Sequence, residues 1–139
     1  MDIRTSSGLE LAERLRDAVN RHDLERLAGC FAPDFVNETP VHPGRSFQGR
    51  EQVRKNWAQI FGGVPDIEAD ILRSSVEGAA IWTEWEMRGT RRDGVRHLMR
   101  GVSIFEMGDG LFTSVRFYLE PVEEGGAGVD ADLQQAMGR

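Results

Sequence analysis

Hydrophobic positions change their period near the middle of the chain. Up to about residue 61 they recur every three or four residues, and beyond residue 66 every second residue. The first half therefore predicts helices. Leu11, Leu15, Ala18 and Val19 form the stripe of a helix over 9–20, with Ser7 as N-cap and Glu10 as its capping-box partner. Asp23 caps a second helix whose stripe is Leu24, Leu27, Ala28 and Phe31, and Pro33 ends it. A short strand is expected over 34–38, then a loop from Thr39 to Gly44, marked by Pro40, Pro43 and Gly44. Val53, Trp57, Ile60 and Phe61 define a third helix over 49–61, stopped by Gly62-Gly63.

The second half reads as a meander. Strands are expected over 66–76, 79–90, 95–107 and 111–121, joined by turns at Glu77-Gly78, Asp93-Gly94 and Gly108-Asp109-Gly110. Helices followed by strands argue an α+β fold: a curved antiparallel sheet, mainly four strands plus a short first strand, packed on three N-terminal helices. One domain is expected over 1–122, with a flexible Gly-rich tail over 123–139. Within the tail, 130–137 forms a short helix or stays disordered.

Composition narrows the function classes. The 139 residues are 40% hydrophobic and 29% charged, ordinary values for one globular domain. Cys30 is the only cysteine, which excludes an internal disulfide and fits a cytoplasmic location. Residues 1–7 contain no apolar run of the signal-peptide kind, and no segment approaches a bilayer-spanning length. The net charge of −6, with arginines scattered among acids, argues against nucleic acid, and no basic amphipathic helix argues for a membrane.

Several phrases then carry a resemblance. They are Val19-Asn20-Arg21-His22-Asp23-Leu24-Glu25, Cys30-Phe31-Ala32-Pro33-Asp34-Phe35, Phe47-Gln48-Gly49-Arg50-Glu51, Arg100-Gly101-Val102-Ser103-Ile104-Phe105, and Asp109-Gly110 followed by Phe117-Tyr118-Leu119-Glu120. In this order and spacing the chain, over about 9–122, resembles the SnoaL-like, nuclear-transport-factor-2-like superfamily. That resemblance implies a cone-shaped fold shared by ketosteroid isomerases, polyketide cyclases and limonene epoxide hydrolase. It does not by itself imply an activity.

The family's chemistry can be carried over position by position. The ketosteroid isomerase base precedes a proline; here that place is Thr39, with Glu38 one residue earlier. The oxyanion-binding tyrosine falls at Leu15 and its acidic partner near 101–103, where no acid stands. Of the epoxide hydrolase Asp–Arg–Asp set, the first aspartate falls at Glu86, the arginine at Glu84 and the second aspartate at Phe117; the water-binding asparagine falls near Glu38. A SnoaL-like cyclase needs one acidic proton carrier, for which Glu86 and Glu38 are the candidates.

Register decides which side chains face the pocket. A two-residue turn at Asp93-Gly94 sets Glu86 across from Gly101, and a bulge at Gly110 brings Phe117 to Gly101 and Leu119 to Met99. The favoured pocket face is then Trp82, Glu84, Glu86, Met99, Gly101, Ser103, Val115, Phe117 and Leu119. Without the bulge, Val115, Phe117 and Leu119 join Trp85, Met87, Arg100, Val102 and Ile104.

On the favoured register Glu86 is a desolvated general base; the alternative is a surface or ion-paired strand residue with Arg88 or Arg100 as partner. Glu38 reaches the cone mouth or merely starts a polar loop. His42 and His97 lie beside turns, where solvated side chains are the rule, and His22 sits in a structural break between helices. Cys30 reads as a buried inert thiol. No spacing suits a metal, no loop suits a nucleotide, and no cofactor is implied. Trp57, Trp82, Met99, Phe117 and Leu119 are the expected ligand contacts. Trp57 has a core alternative, and Trp85 reads as core or interface. The expectation is a cofactor-independent acid/base enzyme on a small apolar molecule, with a non-catalytic binder or a dimeric interaction module as alternatives. A homodimer through the sheet is expected.

Overall fold

A computed structural model describes residues 3–138. Helix α1 (Ile3–Asn20) is followed by α2 (Leu24–Ala28), strand β1 (Phe31–Glu38), a 3-10 turn (Pro43–Arg45), β2 (Phe47–Gln48) and α3 (Arg50–Gly63). Then come β3 (Glu68–Glu77), β4 (Ala80–Thr90), β5 (Arg96–Gly108), β6 (Leu111–Phe117), β7 (Glu120–Pro121) and α4 (Val129–Ala136). The strands form one curved open sheet in the order β2-β1-β6-β5-β4-β3, with β7 continuing beside β5. The fold class is the α+β cone that the sequence implies, with two short additional strands, β2 and β7, and one difference in direction. β1 runs parallel to β6, so the sheet is mixed.

Helix α1 buries Leu11, Leu15, Ala18 and Val19 against the concave face of the sheet. It begins four residues before Ser7, so Ser7 lies within the helix and does not cap it. Its last residue, Asn20, brackets Ala69 of β3. Nδ2 donates to the Ala69 carbonyl (3.0 Å) and Oδ1 accepts from the Ala69 N–H (2.7 Å), which satisfies backbone on an edge strand.

Asp23 caps α2 by accepting from the Arg26 N–H at 3.0 Å. The helix is shorter than expected. Phe31 is already strand, paired with Phe112, and Pro33 lies within β1. The strand tolerates Pro33 because the β1–β6 ladder is interrupted between Phe31 and Val36, so no ladder N–H is missed there. Helix α3 extends to Gly63, through both glycines expected to stop it, and Val64 is its C-cap. Among the described residues no helix is long and apolar enough to cross a membrane.

Both hairpin registers differ from expectation. Between β4 and β5 the last pair is Thr90↔Arg96, leaving a five-residue loop over 91–95 in place of a two-residue turn. The Arg91 N–H donates to Val95 O (2.9 Å), and Asp93 Oδ1 accepts from the Val95 N–H (3.1 Å). The odd loop length moves the register by one residue, so Glu86 faces Arg100 and Trp85 faces Gly101. Between β5 and β6 the two-residue turn is Asp109-Gly110, both with positive φ (53° and 77°). The expected bulge exists but lies between Glu106 and Met107, opposite Thr113. Phe117 therefore pairs with Ser103.

Candidate functional site

The inward rows of the cone follow from these registers. Ile81, Phe105 and Val115 form one row, Thr83, Ser103 and Phe117 the next, then Trp85 beside Gly101, and at the rim Met87, Met99 and Pro121. The observed face thus combines half of each register considered from sequence. β5 and β6 present the favoured set, and β4 presents the other.

Gly101 lets the segment after β6 pass close against β5. Its φ is +151°, and a Cβ there would lie 2.2 Å from the Tyr118 carbonyl oxygen and 2.7 Å from Leu119 Cα. The missing side chain leaves room for the Tyr118–Leu119 backbone, and Trp85, which pairs with Gly101, is 1% exposed. Trp85 Nε1 donates to Thr83 Oγ1 (2.7 Å), and that hydroxyl donates to the Ser103 carbonyl (3.0 Å), so the buried indole N–H and the Thr83 hydroxyl are both paired.

Between sheet and helices lies a cavity of about 80 Å³. Leu15 and Val19 of α1, Val53 of α3, and Phe31 and Phe35 of β1 line its depth. Half-buried Phe47, Trp57, Met87 and Phe117 stand toward its mouth. The polar members are Asn37, Asn56 and Ser103, and no lining side chain is ionisable. Asn37 donates to Thr39 Oγ1 (2.9 Å), and Asn56 Oδ1 accepts from Gln52 Nε2 (2.8 Å). One polar group of each asparagine and the Ser103 hydroxyl make no hydrogen bond to any described residue, which leaves three positions for a ligand.

The candidate acids lie elsewhere. Glu86 is on the convex face. Its carboxylate accepts from Arg100 Nε at 2.9 Å, stands 3.5 Å from Arg88 Nη1, and its side chain is 20% exposed. Glu38 pairs with Arg116 Nη1 at 2.6 Å on the same face, with both side chains about half exposed. The expected pocket placement of Glu86 is corrected by the β4–β5 loop length, and that of Glu38 by the alternation of β1, which sends Phe35 and Asn37 inward. Glu84 likewise faces outward, opposite Val102 and 3.9 Å from Arg73.

The expected ligand contacts divide. Trp57 and Phe117 line the cavity. Met99 stands at the rim, paired with Met87. Leu119 is buried in the core (3% exposed) beside Gly101. Trp82 is corrected: it lies on the convex face, 44% exposed, opposite Ile104. Asn37 and Asn56 line the cavity although neither is expected there from the sequence, and Met87 lines it as only the alternative register expects. Asn37 and Glu38 are adjacent, and only the strand's register tells which one turns inward.

The cysteine and the histidines stand away from the cavity wall. Burial pushes the Cys30 thiol up to about 11, against a smaller opposing effect of Arg14 and Arg26, and its Sγ lies 3.5 Å from the Arg26 carbonyl. His22 contacts the Ile67 carbonyl through Nε2 (2.9 Å) and stacks on Phe61. His42 pairs with Glu120 at 2.8 Å and so ties the 39–46 loop to β7. Burial, then Arg91, lowers the His97 pKa. Among the described residues no group of three or more His, Cys, Asp or Glu is placed to hold a metal.

Known proteins with this architecture are numerous. An LEH-like epoxide hydrolase from M. tuberculosis superposes with a TM-score of 0.72 at 22% identity, covering 84% of each chain. A SnoaL-like polyketide cyclase candidate from Jannaschia sp. CCS1 gives 0.74 at 20% identity, over 86% of this chain and 90% of that one. A ketosteroid isomerase candidate from Kribbella flavida DSM 17836 gives 0.69 at 23% identity, over 89% and 85%. These likenesses show the fold. No curated protein sequence matches the chain. The family model described as a SnoaL-like domain matches residues 12–115, well over half of the sequence, and this chain belongs to that family.

Proposed function

We propose that the chain binds a small, uncharged, mostly apolar molecule in the cone cavity, without a carboxylate general base. The observation that carries this reading is the cavity wall, in which no side chain is ionisable. A charged ligand entering it would lose its hydration with no counter-charge to replace it. A neutral ligand gains from apolar burial, and one or two polar groups on it can meet Asn37, Asn56 or Ser103. Members with this fold include an epoxide hydrolase and cyclase candidates, so a small molecule is the natural occupant.

At about 80 Å³ the cavity has roughly half the ~150 Å³ that takes up one benzene in an engineered apolar core. Binding anything larger therefore requires the mouth side chains to move. Met87 has the freest rotamers among them, and Trp57 and Phe117 are half-buried. The test is a titration with small neutral aromatics, followed through the methyl resonances of Leu15, Val19, Val53 and Val115. Shifts there, unchanged in Glu86→Gln and Glu38→Gln, support the reading. Shifts confined to Val36 and Val102 on the convex face reject it, and dependence on either glutamate restores the acid/base enzyme.

The convex face supports a homodimer. Trp82, Ile104 and Val102 are neighbours there, and Val36 is 44% exposed. Arg–Glu pairs surround them, as at an interface with an apolar centre and a polar rim. We propose a second copy as the occupant. Sedimentation equilibrium should give a dimer that Trp82→Lys converts to monomer; a monomeric parent protein contradicts this.

A further inference from the structure

Three of the eight large apolar side chains that stand exposed among the described residues lie on α4 and its C-cap: Val129 and Leu133 within the helix, and Met137 at its end. At spacings of four they share one side of the helix, and Ala136 falls between them. Asp130, Gln134 and Gln135 occupy the rest of the surface. A helix of eight residues has little stability of its own in water, so an apolar stripe on it needs a surface to lie on.

The chain leaves the folded domain at the rim of the cavity. Pro121 pairs with Met99, and Met99 pairs with Met87, which lines the cavity. Beyond Pro121 the Val122 N–H donates to the Leu98 carbonyl (3.0 Å), and Glu124 pairs with Arg96 (2.9 Å). The tail thus runs beside β5 away from the rim and then reaches Gly125, Gly126 and Gly128. Gly125 and Gly128 have φ of +118° and +103°, which lets the chain turn back. From Glu124 to Val129 the tether spans up to about 17 Å when extended. The way back along β5 from Arg96 to Met99 is about 10 Å, and α4 itself is about 12 Å long. The tether is therefore long enough to bring the stripe, exposed where it now stands, to the half-buried apolar groups at the mouth, Trp57, Met87, Met99 and Phe117.

We infer that α4 is a lid: it closes over the mouth of its own chain's cavity, with Leu133 against Trp57 and Met99. The inference builds on the binding role proposed for the cavity. Closure supplies the wall that the mouth lacks and shields the bound molecule from water.

The test places a fluorophore on the full-length chain. Cys30 is fully buried and its thiol unreactive, so bimane attached to Leu133→Cys labels one site. Bimane is quenched by tryptophan at contact. Trp57 stands at the mouth, Trp82 on the convex face, and Trp85 is buried. The expected result is emission at least about two-fold below that of the same labelled chain carrying Trp57→Phe, the ratio for a helix closed half of the time or more. Equal emission, or a gain with Trp82→Phe instead, overturns the lid. Adding excess unlabelled protein to the labelled Trp57→Phe chain should leave emission high. A fall there means that the helix covers a second copy, and it overturns closure on its own chain. The measurement needs no ligand, so it stands apart from the titration that tests the cavity.

Discussion

Thr83 has one hydroxyl with two partners, the Trp85 indole at 2.7 Å and the Ser103 carbonyl at 3.0 Å, and it is fully buried. Valine has nearly the same shape and no acceptor, so Thr83→Val leaves the indole N–H unpaired in the core. The expected loss is about 1–3 kcal/mol in urea unfolding, and an unchanged midpoint contradicts the pairing. At this scale the sequence was partly legible. Trp57 and Phe117 are found at the cavity as their aromatic character suggests. Asn37 was hidden beside Glu38, because β1 reads Phe35-Val36-Asn37-Glu38, with an apolar and a polar residue on each face. Only the exposure of Val36 and Glu38 resolves the alternation.

Elements were legible where one period ran long enough. α1, α3 and the four long strands follow their hydrophobic patterns. The pattern failed where local chemistry competes: Cys30-Phe31-Ala32 is apolar enough to continue a helix, yet it starts a buried strand. It failed again at the β4–β5 loop, since Asp93-Gly94 marks a turn without fixing its length. That loop carries the Glu86 error, because one extra residue reverses a strand's faces.

Two predictions belong to elements. Gly101 admits Leu119 and the Tyr118 carbonyl where a Cβ would stand, in a backbone conformation strained for other residues. Gly101→Ala should cost about 2–4 kcal/mol, read as a lower denaturation midpoint; a cost within error contradicts the close approach. Asp66 accepts from the Thr90 N–H at 2.7 Å, and this bond holds its carboxyl below the usual range. Its stabilisation is complete above the ordinary carboxylate pKa and is lost as pH falls through the lowered one. The Tm gap between the parent protein and Asp66→Asn should thus be constant near neutral pH and close below about 4. A gap that widens on acidification contradicts the assignment.

For the molecule as a whole, the SnoaL-like cone keeps its candidate acids on the convex face and its apolar groups within. Every candidate acid is committed to an arginine on the convex surface, while the concave side holds a cavity with amide and hydroxyl groups alone. Fold and family were readable from motif order, since order and spacing survive where single residues do not. The site was not, because its composition depends on loop lengths. The cavity is proposed to select neutral molecules. The direct measurement compares toluene with benzoate, close in shape and differing in charge, by the methyl shifts of Val53 and Val115 at neutral pH. Saturable shifts are expected with toluene and none with benzoate at the same concentration. Binding of benzoate at those methyls, as tight as toluene or tighter, would contradict this selectivity.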